Sequence, residues 1–159
     1  MLKEEKEKWL KEAIKLSVQG VKKHKGGPFG AVVVKNGQII GKGFNQVTSS
    51  NDPTAHAEII AIREACKYLD SFQLDGCEIY TSCEPCPMCL GAIYWARPKA
   101  IYYACTRETA AEAGFDDSLI YDEINKSAEN RKIPMKKIDL PNDQEPFDEW
   151  KKKADKTEY

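Results

Sequence analysis

Two short stretches carry side chains that could do chemistry: Thr54-Ala55-His56-Ala57-Glu58 and Thr81-Ser82-Cys83-Glu84-Pro85-Cys86-Pro87-Met88-Cys89. Cys86 and Cys89 have i, i+3 spacing, which sets two side chains on one face of a helix. A helix beginning near Cys86 would favour both thiolates, because its N-terminus carries partial positive charge. One imidazole and two thiolates suit zinc, and three protein ligands leave a fourth position for water, as in catalytic sites. Glu58, two residues beyond His56, would point away from the metal bond yet stay near that water. A carboxylate there can take a proton from water and deliver it to a ring nitrogen and a departing amine.

Cys83 leaves an alternative open. It stands at i, i+3 from Cys86, and a fourth protein ligand would close the site into a structural one. Against this, Glu84-Pro85 favours an extended approach to the helix, which would leave Cys83 at a strand end. A structural site also has no use for Glu58. Cys66, Cys77 and Cys105 stand isolated among apolar or strand-like neighbours and read as packing residues.

The elements that must position these groups follow from periodicity. Residues 4–21 place Trp9, Leu10, Ala13, Ile14, Ser17, Val18 and Val21 at helical spacing. Gly26-Gly27-Pro28 breaks that helix, and Gly30 to Val34, Asn36-Gly37 and Gln38 to Phe44 read as a β-hairpin. A polar loop runs from Asn45 to Asp52, then a helix from Ala55 to Leu69. A strand over Cys77–Ser82, a helix over Cys86–Ala96 and a strand over Lys99–Ala104 follow. Glu108 to Asn125 is expected to be helical with an interruption at Gly114, Met135 to Leu140 a last edge strand, and Pro146 to Lys156 a terminal helix or tail. Strands separated by helices imply a three-layer α/β/α arrangement, with a mixed five-stranded sheet whose opening hairpin is antiparallel. Two helix N-termini at the carboxyl ends of parallel strands would form a crevice.

The bulk composition narrows the class. At 159 residues the chain suits one domain, 1–159, with no repeat or long linker. No stretch approaches the roughly 18 apolar residues of a membrane span, and the charged N-terminal stretch lacks the apolar core of a secretory signal, so a cytoplasmic location is expected. With 24 basic and 25 acidic residues the net charge is −1, which leans away from nucleic acid as a partner. The lysine clusters at 22–25 and 151–153 read as solvated helix ends.

His-x-Glu followed by Pro-Cys-x-x-Cys is the signature of the zinc nucleobase deaminases, and here the chain resembles the cytidine deaminase-like superfamily, more closely its bacterial guanine deaminases. The resemblance also rests on Gly26-Gly27-Pro28-Phe29-Gly30-Ala31, Asn45, Gly91-Ala92-Ile93-Tyr94-Trp95-Ala96 and Glu112-Ala113-Gly114-Phe115-Asp116-Asp117-Ser118. It implies one zinc ion per subunit on His56, Cys86 and Cys89, with zinc-activated water attacking C2 of guanine to give xanthine and ammonia. Glu58 would be the proton shuttle and Asn45 would hydrogen-bond the base. Phe29 would pack against its ring, with Ala57 also counted among the base-binding residues. Asp117 is similar to the acid that such deaminases aim at the purine, although Asp116 beside it is not separable by sequence, and either could cap the following helix. The resemblance further implies a homodimer in which a C-terminal tail, about residues 145–159, covers the partner's pocket, with Tyr159 closing it. A nucleoside deaminase, an adenosine deaminase acting on tRNA and a non-catalytic zinc module are the competing readings.

Overall fold

The computed structural model describes residues 3–159. Helix α1 (Lys3–Lys22) turns Trp9, Ala13, Leu16, Ser17 and Gly20 inward, at the three- and four-residue spacing of one helical face. Strands β1 (Gly30–Lys35) and β2 (Gln38–Phe44) form the hairpin, with Asn36 (φ 50°) and Gly37 (φ 73°) supplying the left-handed pair that a two-residue turn requires. The polar loop after β2 contains one helical turn, α2 (Val47–Ser50), and α3 (Ala57–Leu69) follows it. Next come β3 (Glu78–Cys83), α4 (Pro87–Ala96), β4 (Ala100–Cys105) and α5 (Arg107–Glu112).

The sheet order is β2-β1-β3-β4. β1 is antiparallel to both β2 and β3, whereas β3 and β4 are parallel, joined by the α4 crossover. Alternation along the strands separates two cores. Val32, Val34 and Tyr80 face α1 with Trp9 and Leu16. Ala31, Val33 and Ile79 face the opposite way, with Ala57, Ala61 and Ala65 of α3 and Ile93 and Ala96 of α4. This is the expected α/β/α layering.

The sheet has four strands rather than five. Residues 135–140 pair with no strand among the described residues, and Ile133 and Ile138 are 81% and 78% exposed. Pro134 and Pro141 bracket the segment and cannot donate to a ladder, while Lys136-Lys137 interrupts its apolar alternation. Cys105, expected to pack, is exposed because it ends β4, the edge strand.

One close approach places the site. The carbonyl oxygens of Ala57 and Ala61 lie 2.2 and 2.3 Å from where a Cβ would stand on Gly43 and Gly41 of β2. Bare backbone on β2 and a buried alanine face on α3 let the helix lie directly on the strand, which fixes where α3 begins.

The chain divides into two compact units, Met1–Asp117 and Ser118–Tyr159. The second contains α6 (Ser118–Ile124), a 3-10 turn (Ala128–Asn130) and α7 (Glu145–Lys152). Its local order centres on Glu123, whose carboxylate accepts from Lys126 Nζ at 2.7 Å and from the Lys132 N–H at 2.6 Å. Arg131 Nε donates to the Glu123 carbonyl at 3.0 Å, satisfying one of the orphan carbonyls at the end of α6. No described helix is long and apolar enough to cross a membrane.

Candidate metal centre

His56 and Cys86 are the residues immediately before α3 and α4. Each has extended backbone (φ −72°, ψ 154° and φ −67°, ψ 168°), so each side chain leaves its helix at the N-terminal end. Pro87 occupies the first turn of α4, where its missing N–H costs nothing. Cys89 follows within that helix and is fully buried. His56 Nδ1 stands 3.5 Å from Cys86 Sγ and 3.5 Å from Cys89 Sγ. All three donor atoms lie within 4.8 Å of one another.

These spacings fit one tetrahedral ion. Zinc bonds of about 2.0–2.3 Å put donor atoms roughly 3.5–3.8 Å apart. The electrostatics agree. Hydrogen bonding from Cys89, then from His56, holds the Cys86 thiol down at about 4, which favours its thiolate form. Its hydrogen bond raises His56, and the shared proton together with burial raises Cys89. A thiolate, a second thiol and an imidazole converging here are a soft, electron-rich set that a zinc cation satisfies.

Cys83 does not join them. Its Sγ donates to the Thr106 carbonyl at 3.4 Å, and burial pushes its thiol up to about 11. Among the described residues the ligand cluster is His56, Cys86 and Cys89. Three protein ligands leave the fourth position of a tetrahedron open.

Glu58 is 6% exposed, in the first turn of α3 beside the trio. Burial pushes its carboxyl above the ordinary carboxylate range, and the charge of Cys86 adds to the rise. Ala57 is also fully buried; at the first position of α3, where N–H groups have no partner within the helix, it has only backbone to offer.

Asn45, which follows β2, is 5% exposed. Its Oδ1 accepts from the Gly27 N–H at 3.2 Å and the Val47 N–H at 3.1 Å. Its own N–H donates to the Phe29 carbonyl at 3.0 Å. Phe29 packs edge-on against Phe115, ring centroids 5.0 Å apart and planes at 90°. Phe115 is an aromatic wall that sequence reasoning did not single out; its one signal is its place just before the two aspartates. Asp116 is exposed, whereas Asp117 is partly buried. Burial, then the Cys86 charge, raises Asp117, with Arg107 opposing the rise. Asp117 therefore lies within reach of the Cys86 charge.

Glu84 was also missed. Its N–H donates to the Cys105 carbonyl at 2.8 Å and its carboxylate accepts from the Arg107 N–H at 3.2 Å. It thereby ties the stretch leading to Cys86 to the turn after β4. Tyr159, the last residue, belongs to the second unit and is 71% exposed there.

Residues 3–105 match the family described as the cytidine and deoxycytidylate deaminase zinc-binding region. The guanine deaminase of Bacillus subtilis (strain 168) is 61% identical over 153 residues, 96% of this chain and 98% of that protein. The X-ray structure of a guanine deaminase from Bacillus subtilis superposes with a TM-score of 0.95 at 61% identity, over 96% of this chain and 98% of that one. A tRNA-specific adenosine deaminase of Aquifex aeolicus (strain VF5) is 42% identical over 99 residues, 62% of this chain and 65% of that protein.

Proposed function

The chain belongs to the cytidine and deoxycytidylate deaminase zinc-binding family, and from that premise we propose that it hydrolyses guanine to xanthine and ammonia. The observation that carries the reading is the open three-ligand cluster His56, Cys86 and Cys89 with the buried Glu58 carboxyl beside it, raised above its ordinary value by burial. The substrate follows from the 61% identical relative that matches almost end to end.

Zinc, when bound to these three residues, supplies the Lewis acidity that makes a water molecule a competent nucleophile near neutral pH. Glu58 takes a proton from that water as its oxygen adds to C2. The same carboxyl delivers the proton to N3, then carries the remaining hydroxyl proton to the 2-amino group. The C2–N bond breaks, ammonia leaves and C2 becomes a carbonyl. A carboxyl raised by burial suits both halves of this shuttle, because it binds a proton readily without being permanently ionised.

Asn45 hydrogen-bonds the base, and Phe29 packs against its ring beside Phe115. Ala57 lines the floor. Asp117 accepts from the N1–H edge of guanine, where adenine presents N1 as an acceptor. The protein works as a homodimer in which residues 145–159 of one subunit cover the pocket of the other, with Tyr159 excluding water. Supporting this, the second unit contains no buried residue, so its apolar side chains require a surface to cover them.

The deciding experiment is ammonia release by zinc-loaded protein from guanine, guanosine, adenine, adenosine, cytosine and cytidine, each against Glu58→Gln. Guanine turnover that vanishes in the variant establishes chemistry and substrate together. Preference for another base retains the Glu58 chemistry and overturns the substrate. Silence on all six overturns the reading of a free-base deaminase.

A further inference from the structure

The side chain of Asn45 is held by one end. The N–H groups of Gly27 and Val47 approach a single atom of its amide, at 3.2 and 3.1 Å. Two donors aimed at one atom require an acceptor, so that atom is the oxygen and the NH2 group is the end left over. The backbone of Asn45 is also anchored, because its N–H donates to the Phe29 carbonyl. Asn45 is nearly buried, and Phe29 and Phe115 form the aromatic pair beside Gly27: a Cβ on Gly27 would meet Phe115 Cε1 at 3.1 Å and Phe29 Cε2 at 3.2 Å.

What allows this grip is the missing side chain of Gly26. A Cβ on Gly26 would stand 2.3 Å from Asn45 Oδ1 and 2.6 Å from the Asn45 carbonyl oxygen. Neither neighbour is the far end of a flexible chain; both belong to a residue pinned at three points. Gly26 has an ordinary backbone angle, so the requirement is for space.

We propose that Gly26 is a positioning residue that locks Asn45 as a hydrogen-bond donor only, and that this polarity selects bases presenting an acceptor at the edge facing Asn45. The inference rests on the guanine reading above for the identity of that acceptor. With C2 and N3 engaged by the Glu58 chemistry, the remaining acceptors of guanine are O6 and N7. An amide free to flip could meet either an oxo or an amino group. Asn45 in this cradle meets only an acceptor, and Asp117 takes the complementary part, accepting from N–H groups. The two side chains therefore read opposite polarities.

Asn45→Asp and Gly26→Ala test this. A carboxylate at position 45 keeps an oxygen for the Gly27 and Val47 N–H groups but turns an acceptor toward the base. For Asn45→Asp we expect a KM for guanine at least about tenfold higher, with a smaller change in kcat and unaltered zinc content, since a site built to hydrogen-bond rejects a mismatched edge strongly. Gly26→Ala should raise KM in the same direction by displacing the amide. An unchanged KM in Asn45→Asp overturns the donor assignment, and an unchanged KM in Gly26→Ala overturns the role of Gly26. Amide hydrogen exchange separates this from the substrate question. The Gly27 and Val47 N–H groups should be protected in the unsubstituted protein and exchange about tenfold faster or more in Asn45→Ala and Gly26→Ala. If guanine is not deaminated but those amides lose protection, the substrate reading fails and the lock stands. Equal exchange in all three proteins overturns the lock whatever the substrate.

Discussion

The two compact units of this chain treat apolar side chains in opposite ways. In Met1–Asp117, Val32, Val33, Ile79, Tyr80 and Leu74 are fully buried around a sheet covered on both faces. In Ser118–Tyr159 no residue is buried, and Ile133, Ile138, Leu140, Phe147 and Tyr159 are more than half exposed. The first unit can hold a catalytic centre because its parts are determined by packing within the same chain. The second has as strong an apolar character in places but no core of its own. Its composition makes sense as a cover for something else, which is the role the homodimer proposal assigns it.

The largest effects are expected at the metal centre of the first unit. Glu58→Gln should lower kcat by about 10²–10⁴-fold, the usual worth of a positioned proton-transfer group, while zinc content and melting temperature hold. Turnover within a few-fold of the unsubstituted protein would mean that another group moves the proton. Cys86→Ser should lose bound zinc and with it activity. Elemental analysis after gel filtration measures this, and a full zinc complement would displace Cys86 from the ligand set.

A smaller effect tests the claim that packing inside the first unit sets the site. Gly43→Ala drives a methyl group against the Ala57 carbonyl. We expect a cost of about 1–3 kcal/mol, as for other overpacked interiors, together with weakened zinc binding, because His56 lies next to the displaced end of α3. Unchanged stability would show that α3 can shift without consequence.

Removing residues 145–159 sharpens the other side of the contrast. The first unit should keep its melting temperature within a few degrees, while kcat/KM for guanine falls on the order of tenfold as water gains access to the reacting base. An unchanged rate would dispose of the lid. The smallest effect concerns Glu123. Its hydrogen bond from Lys126, then that from the Lys132 N–H, holds its carboxyl below the ordinary value of 4.5. A depressed value stabilises the folded state above the ordinary pKa, and that contribution is lost as pH falls through the folded value. Protection of the α6 amides, taken relative to their intrinsic exchange rate at each pH, should therefore fall as the pH drops below about 4.5, and less so in Glu123→Gln. Because the group is exposed, the change should be slight.

Legibility in the sequence differed in the same way between the two units. The hairpin was readable because Asn36-Gly37 has few other uses, and the alternation of β1 matches a sheet with two covered faces. The cluster of His56, Cys86 and Cys89 was readable because metal chemistry restricts residue type and spacing tightly. Met135–Leu140 carries apolar residues like a strand, yet a strand exists only with a ladder partner, and local composition does not report one. Cys105 failed for a related reason: strand propensity does not distinguish an edge from a centre. Phe115 was overlooked because a lone aromatic beside a glycine has no periodic partner to reveal which wall it joins.

Local patterns of residues carry α1, the hairpin, α3, β3, α4 and β4 and the ligand set of His56, Cys86 and Cys89, since these depend on periodicity and on donor chemistry. Tertiary packing alone turns Cys83 to the Thr106 carbonyl, brings Asp117 within reach of the Cys86 charge and holds the Asn45 amide by its oxygen. Each of those outcomes depends on which groups from distant parts of the chain arrive within a few ångströms, and no local pattern of residues encodes that distance.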